Sequence, residues 1–209
     1  MGRRLLVIDT ATAACSVALF EENELIANDY AEIGRGHAEK LVPMIADLPR
    51  KGRADQILVN CGPGSFTGTR IGISVAKALS LAWNAKLGGY QCLQLLAVQE
   101  LSIIDNKKPI YVCMQAGHGE FFVQNYSDAG IAIDDLESLA LNAAMEKKLS
   151  DTIIGTGNAI LPETKDSDIH SIVALPDAVS AILLDGMQMV SNVAPIYVRE
   201  PDAVKTATS

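Results

Sequence analysis

Two segments of the chain carry residue types whose spacing could do chemistry. The first is Asp9-Thr10-Ala11-Thr12, a carboxylate followed by small and hydroxyl residues at the close of the apolar run Leu5 to Asp9. Asp9, Thr10 and Thr12 are the residues a phosphate loop would use, the acid holding a metal-bound water and the backbone approaching the phosphate. Ala11 stands where such a loop wants glycine, and its Cβ restricts positive φ and close approach. The segment therefore reads as a degraded nucleotide site, or as a turn whose N–H groups Asp9 satisfies. The second segment, Gly62-Pro63-Gly64-Ser65-Phe66-Thr67-Gly68-Thr69-Arg70-Ile71-Gly72, follows the apolar run Ile57-Leu58-Val59-Asn60. It opens a helical pattern from about Arg70 to Ala85. A helix start can hold an anion, because its first N–H groups lack intrahelical partners and the macrodipole adds positive charge. No Gly-Lys-Ser/Thr ending follows, and Thr67 falls where the third glycine of a dinucleotide fingerprint belongs. Gly62, Gly64, Gly68 and Gly72 then form a structural strand-to-helix connection, with Ser65 and Thr67 as capping hydroxyls.

The remaining polar candidates assemble no acid–base pair. His37 starts an amphipathic segment with no second histidine or carboxylate at metal spacing, so an interface or surface role is expected for it. No metal site is expected, since His37, His118 and His170 are far apart. Cys15, Cys61, Cys92 and Cys113 form no Cys-x-x-Cys pair and suit a reducing compartment. Glu120 beside Phe121 and Phe122 reads as a strand-edge acid, and Arg199 after Tyr197 as a solvated tail residue.

The elements that must position these residues read as follows. Leu5 to Asp9, Cys15 to Phe20 and Glu24 to Tyr30 are candidate strands, the last two joined by the polar Glu21-Glu22-Asn23. From about His37 to Leu48, the apolar positions Leu41, Met44, Ile45 and Leu48 form one helical stripe. On the following helix, Gly72, Ala76 and Ser80 fall four apart, as do Ser74, Ala78 and Ala82, beside the bulkier Ile71, Val75, Leu79 and Trp83. Rows of small side chains admit a second helix closely, so part of this face either packs on its own sheet or docks on another protein. A second lobe begins near Pro109, with strands Ile110 to Met114 and Glu120 to Tyr126 around Ala116-Gly117-His118-Gly119. No internal repeat stands out. The division expected is residues 1–105 as first lobe, 106–190 as a smaller second lobe and 191–209 as a tail.

Composition narrows the function classes. With 17 Lys and Arg against 25 Asp and Glu, the formal net charge of −8 argues against nucleic-acid binding by this chain alone. The apolar run at the N-terminus is too short for a signal peptide or a membrane span, so a cytoplasmic protein without membrane contact is expected.

Together these segments resemble the TsaB (YeaZ) family. Asp9 to Leu19 is similar to the family's opening, His37 with Leu41, Pro43 and Met44 to its first helix, and Gly62 to Gly72 to its most specific motif. Pro195-x-Tyr197-x-Arg199 also fits. The second lobe departs: where the family often has Asp-Ala-Arg-x-x-Glu-Val-Tyr, this chain has Gln115-Ala116-Gly117-His118-Gly119-Glu120-Phe121-Phe122. The resemblance implies an α/β, actin-like (ribonuclease H-like) fold of two lobes with mixed sheets, the second reduced. It implies a non-catalytic assembly subunit that binds TsaD, with the ATPase TsaE, in threonylcarbamoyl transfer to the anticodon-adjacent adenosine of tRNA. The docking surface would lie on His37, Leu41, Met44, Ile45 and Leu48 of one helix and Arg70, Ser74, Ala78 and Ala82 of the other, and would also serve a homodimer. ATP or ADP would enter only at the boundary with TsaD, and tRNA only through the complex. The competing reading is an independent ATPase or peptidase of the same superfold, with Asp9 and the glycine turn handling phosphate.

Overall fold

The computed structural model describes residues 2–105, 107–157, 170–186, 188–190 and 192–198, so Arg199 lies outside the described residues. Strands β1 (Arg4–Asp9), β2 (Ala14–Glu21) and β3 (Glu24–Glu32) form an antiparallel meander. Strands β1 and β2 are buried along nearly their whole length, whereas β3 is an exposed edge. Helix α1 (His37–Asp47) leads to β4 (Gln56–Asn60), which pairs parallel to β1. Helix α2 (Phe66–Trp83) then returns to β5 (Lys86–Tyr90), parallel to β4. It begins at Phe66, a turn earlier than its hydrophobic pattern suggests, because the Ser65 hydroxyl caps it by accepting from the Gly68 N–H at 3.1 Å.

Helix α3 (Cys92–Ile103) carries the chain into a second sheet. There β6 (Ile110–Gln115), β7 (Glu120–Tyr126) and β8 (Glu137–Ala140) form another antiparallel meander, followed by α4 (Leu141–Lys147). Strand β9 (Thr152–Ile154) is parallel to β6, and β10 (His170–Ile172) parallel to β9. The sheet orders are β11-β5-β4-β1-β2-β3 and β10-β9-β6-β7-β8, with β11 (Met189–Val190) antiparallel to β5. Leaving β11 aside, the second sheet repeats the first strand for strand: a three-strand meander extended by two parallel strands beyond its first member. The molecule is thus an α/β, actin-like pair of lobes with mixed sheets, the second reduced to shorter strands.

Helices α1 and α2 cover one face of the first sheet over a core of Leu6, Ile8, Val17, Leu41, Met44 and Ile73. On the other face lie Leu95 and Val98 of α3, with Ala178 and Ala181 of the short 3-10 helix Ala178–Leu183. The opposite side of α3, through Leu93, Leu96 and Leu101, packs on Ile110, Val112 and Tyr126 of the second sheet. Wrapped by both lobes, α3 is buried on opposite sides and has no single apolar stripe.

Within the expected 1–105, the first lobe also takes in β5 and α3. The chain also returns to the first lobe before residue 190: Ser16 Oγ donates to Asp177 Oδ1 at 2.7 Å, β11 joins the first sheet, and the Ile196 N–H donates to the Cys61 carbonyl at 2.8 Å. The described residues between 177 and 198 therefore lie against the first lobe.

Candidate functional site

Strand β1 ends on Asp9, whose side chain is fully buried. Its Oδ2 accepts from Asn60 Nδ2 at 2.7 Å and from the Tyr90 hydroxyl at 3.0 Å, and its Oδ1 from the Ala11 N–H at 3.1 Å. Burial pushes the Asp9 carboxyl up to about 7, against the lowering effect of those three donors. Asp9 thus closes a network across β1, β4 and β5 and has no route to an external phosphate.

The rest of the loop is filled by the chain itself. The Thr10 hydroxyl donates to the Gly68 carbonyl at 2.8 Å, the Ser65 N–H to the Ala11 carbonyl at 2.6 Å, and the Ala14 N–H to Thr12 Oγ1 at 3.2 Å. A Cβ on Gly64 would stand 2.1 Å from the Ala11 carbonyl oxygen, and one on Gly68 2.1 Å from that of Thr10. The glycines exist to let the start of α2 lie against the β1–β2 turn. The N–H groups of Ala11, Ala14, Ser65 and Gly68 are bonded within the chain and are not offered to a phosphate. Asp9, Thr10 and Thr12 thus take the turn-holding role, one of the two readings their sequence allowed.

A cleft of about 530 Å³ remains between the lobes, bordered by Thr12, Ser65, Met114, Gln115, Gly117 and Thr156. Its second-lobe wall is the β6–β7 turn, the counterpart of the β1–β2 turn in the duplicated topology. The divergent Gln115–Glu120 segment thus faces the filled loop across the cleft. The Gln115 N–H donates to Thr156 Oγ1 at 3.1 Å, which fixes one side of it.

Sequence spacing gave no sign that His37 meets Ser65. The structure lines one recess with both, together with Thr67 and Gly68. Yet His37 is buried and its Nε2 lies 3.1 Å from the Ala14 carbonyl, while the Ser65 hydroxyl is engaged as a helix cap. Neither is free for acyl transfer. Burial also pushes the Cys15 and Cys61 thiols up to about 11, so both stay protonated at neutral pH. Among the described residues no cluster of His, Cys, Asp and Glu could hold a metal ion, and no helix is long and apolar enough to cross a membrane.

The two helix faces separate cleanly. Leu41, Met44, Ile45 and Leu48 are all at most 5% exposed, packed between α1 and the sheet, as is His37. These five are core residues, which corrects their assignment to an interface: an apolar stripe at that spacing is what a sheet-covering helix requires. What α1 presents outward is Ala38, Val42 and Ala46, together with Glu39, Lys40, Pro43 and Asp47. On α2, Gly72 and Ala76 face the sheet, and Arg70, Ser74, Ala78 and Ala82 face solvent. Ala38 and the outer turns of α2, from Phe66 to Val75, border a groove of about 410 Å³. At its end the Arg70 guanidinium lies 3.5 Å over the Phe66 ring and donates to the Tyr197 hydroxyl at 2.7 Å. Phe66 and Tyr197 are 61% and 54% exposed, an aromatic pair the sequence did not single out.

Comparison with known proteins places these features. The family model described as TsaD, tRNA N6-adenosine threonylcarbamoyltransferase, matches residues 29–153. The chain is 37% identical over 99 residues to the Escherichia coli tRNA threonylcarbamoyladenosine biosynthesis protein TsaB, covering 45% of this chain and 42% of that protein. It is 31% identical over 131 residues to the protein of that name from Buchnera aphidicola subsp. Schizaphis graminum, covering 60% and 61%. The chain thus spans less than two thirds of the length of these relatives. Among solved structures, YeaZ from Pseudomonas aeruginosa is 25% identical with a TM-score of 0.78, covering 93% of this chain and 99% of that one. An uncharacterized protein with similarity to peptidase YEAZ from Pseudomonas aeruginosa is 26% identical with a TM-score of 0.80, covering 94% and 100%.

Proposed function

The chain belongs to the tRNA N6-adenosine threonylcarbamoyltransferase family, among its TsaB/YeaZ members, and from that premise we propose that it is a non-catalytic assembly subunit. Its partner is TsaD, with TsaE joining the complex, and the reaction served is threonylcarbamoyl transfer to the anticodon-adjacent adenosine of tRNA. The observation that carries this reading is the outer face of α1 and α2. Ala38, Val42, Ser74, Ala78 and Ala82 present short side chains on two adjoining helices, a surface another helix pair can approach closely. Phe66, Arg70 and Tyr197 at the groove's end are the residue types that anchor interfaces. The filled phosphate loop supports the same reading from the other side. A chain whose own main chain occupies its nucleotide loop contributes surface instead of chemistry, and at that loop ATP or ADP would bind only at the boundary with TsaD. In isolation the same face serves self-association into a homodimer. The net charge of −8 leaves tRNA contact to the complex.

The test is co-purification with the cognate TsaD, with nucleotide binding assayed on each protein alone and on the mixture. The expected result is a stable complex that Ala78→Arg abolishes while the monomer's melting temperature stays unchanged. Survival of pairing in that variant, or tight ATP binding by this chain alone that Asp9→Ala weakens, would overturn the proposal and restore the ATPase or peptidase reading.

A further inference from the structure

Although the chain is acidic as a whole, Arg3, Arg4, Arg50 and Arg53 line one recess of about 790 Å³. It lies at the N-terminal ends of β1 and β4, whereas Asp9 and the interlobe cleft lie at the other end of β1, about 17 Å away at the usual strand rise. Arg4 organises it. This side chain is only 6% exposed, with Nη1 donating to the Arg53 carbonyl at 2.9 Å and Nη2 to the Pro49 carbonyl at 3.1 Å. Its Nε is buried without a hydrogen-bond partner. The turn clasped in this way holds Arg50 and Lys51 at φ 57° and 55°, a left-handed conformation unfavourable for both and maintained by the packing around it.

Arg3, Arg50 and Arg53 make no side-chain hydrogen bond or ion pair with the described residues. The two acids of the recess are each engaged by main chain, Glu22 Oε1 accepting from the Arg3 N–H and Asp55 Oδ2 from the Arg4 N–H. Trp83, half-buried at the end of α2, completes the lining with a flat apolar face.

We propose that this recess is an anion site for a compact polyphosphate ligand of the nucleoside di- or triphosphate class. Guanidinium forks match phosphate oxygens in pairs, and Trp83 offers a stacking surface for a base. The volume lies in the range of small-molecule sites. A long nucleic acid fits less well, because the cations gather at one recess instead of a stripe and the chain as a whole carries a net charge of −8. The proposal does not depend on pairing with TsaD.

The test is isothermal titration calorimetry of the whole chain with sodium tripolyphosphate, with ADP and with a single-stranded RNA 12-mer. Tripolyphosphate and ADP are expected to bind, and the double substitution Arg50→Ala/Arg53→Ala to weaken both by about tenfold per guanidinium removed. Both positions are exposed, so that variant is expected to keep its melting temperature and its capture of TsaD. Trp83→Leu is expected to weaken ADP while sparing tripolyphosphate. Lack of tripolyphosphate binding at millimolar concentration, or equal binding by the double variant, would overturn the site. Tighter RNA binding through the same arginines would overturn the ligand class, as would an ADP affinity indifferent to Trp83.

Discussion

Thr10 and Gly68, 58 residues apart in sequence, are joined by a hydrogen bond of 2.8 Å from the threonine hydroxyl to the glycine carbonyl. That bond locks the turn after β1 onto the first turn of α2, where no side chain on residue 68 could be accommodated. Gly68→Ala would put a Cβ 2.1 Å from the Thr10 carbonyl oxygen, against main chain that cannot yield. We expect a loss of about 3 kcal/mol or more, with unfolding midpoints in urea as the readout. A fully stable variant would mean that the two segments can separate without cost.

The Asp9 carboxyl gives stability a characteristic pH dependence. Burial, its dominant influence, raises it to about 7, whereas an unfolded-chain aspartate titrates near 3.8. Below about pH 4 both states hold the proton; between about 4 and 7 only the folded state does. Stability contributed by the protonated acid is therefore lost as pH rises through that window, on the order of 4 kcal/mol in total, and is flat above it. The difference in unfolding free energy between the native chain and Asp9→Asn, measured from pH 4 to pH 8, is expected to fall with this shape. A flat difference would show that Asp9 stays ionised throughout.

His37 anchors the start of α1 to the start of β2 through the contact between its Nε2 and the Ala14 carbonyl. His37→Leu leaves that contact unmade in a buried setting. The expected cost is about 1–3 kcal/mol by thermal or chemical denaturation, with no change in affinity for TsaD. Reduced pairing at undiminished stability would return His37 to the interface.

Much of this architecture was legible in the sequence because local patterns and tertiary needs agreed. The strand Glu120–Tyr126 and the helix His37–Asp47 follow their hydrophobic periods closely. The Gly62–Gly72 motif also marked its place, although its purpose, close approach of Gly64 and Gly68 to the β1–β2 turn, is a contact between distant segments that no spacing reveals. Helix α3 lacked a stripe because both lobes bury it. The duplicated topology left no sequence repeat, since a sheet order constrains burial more than residue identity. The candidate site was the hardest part to read. An apolar stripe such as Leu41, Met44, Ile45 and Leu48 looks the same whether it covers its own sheet or a partner, and only the fold decides.

That decision can be checked between neighbouring residues. Leu41 is fully buried in the first-lobe core, whereas Val42 on the same turn of α1 is 54% exposed. Leu41→Ala should cost about 2–5 kcal/mol through the cavity it leaves, with pairing reduced only as far as the folded fraction falls. Val42→Asp should change stability by about 0.5 kcal/mol or less, as for an ordinary surface position. It should nevertheless weaken capture of TsaD, because it places a charge on the small-residue face proposed to dock. Melting curves and co-purification on the same two variants separate the effects. If Val42→Asp pairs like the native chain while the Ala78→Arg variant does not, the contact lies on α2 alone and the outer face of α1 is ordinary surface. If both pair normally, the docking face lies elsewhere on the molecule.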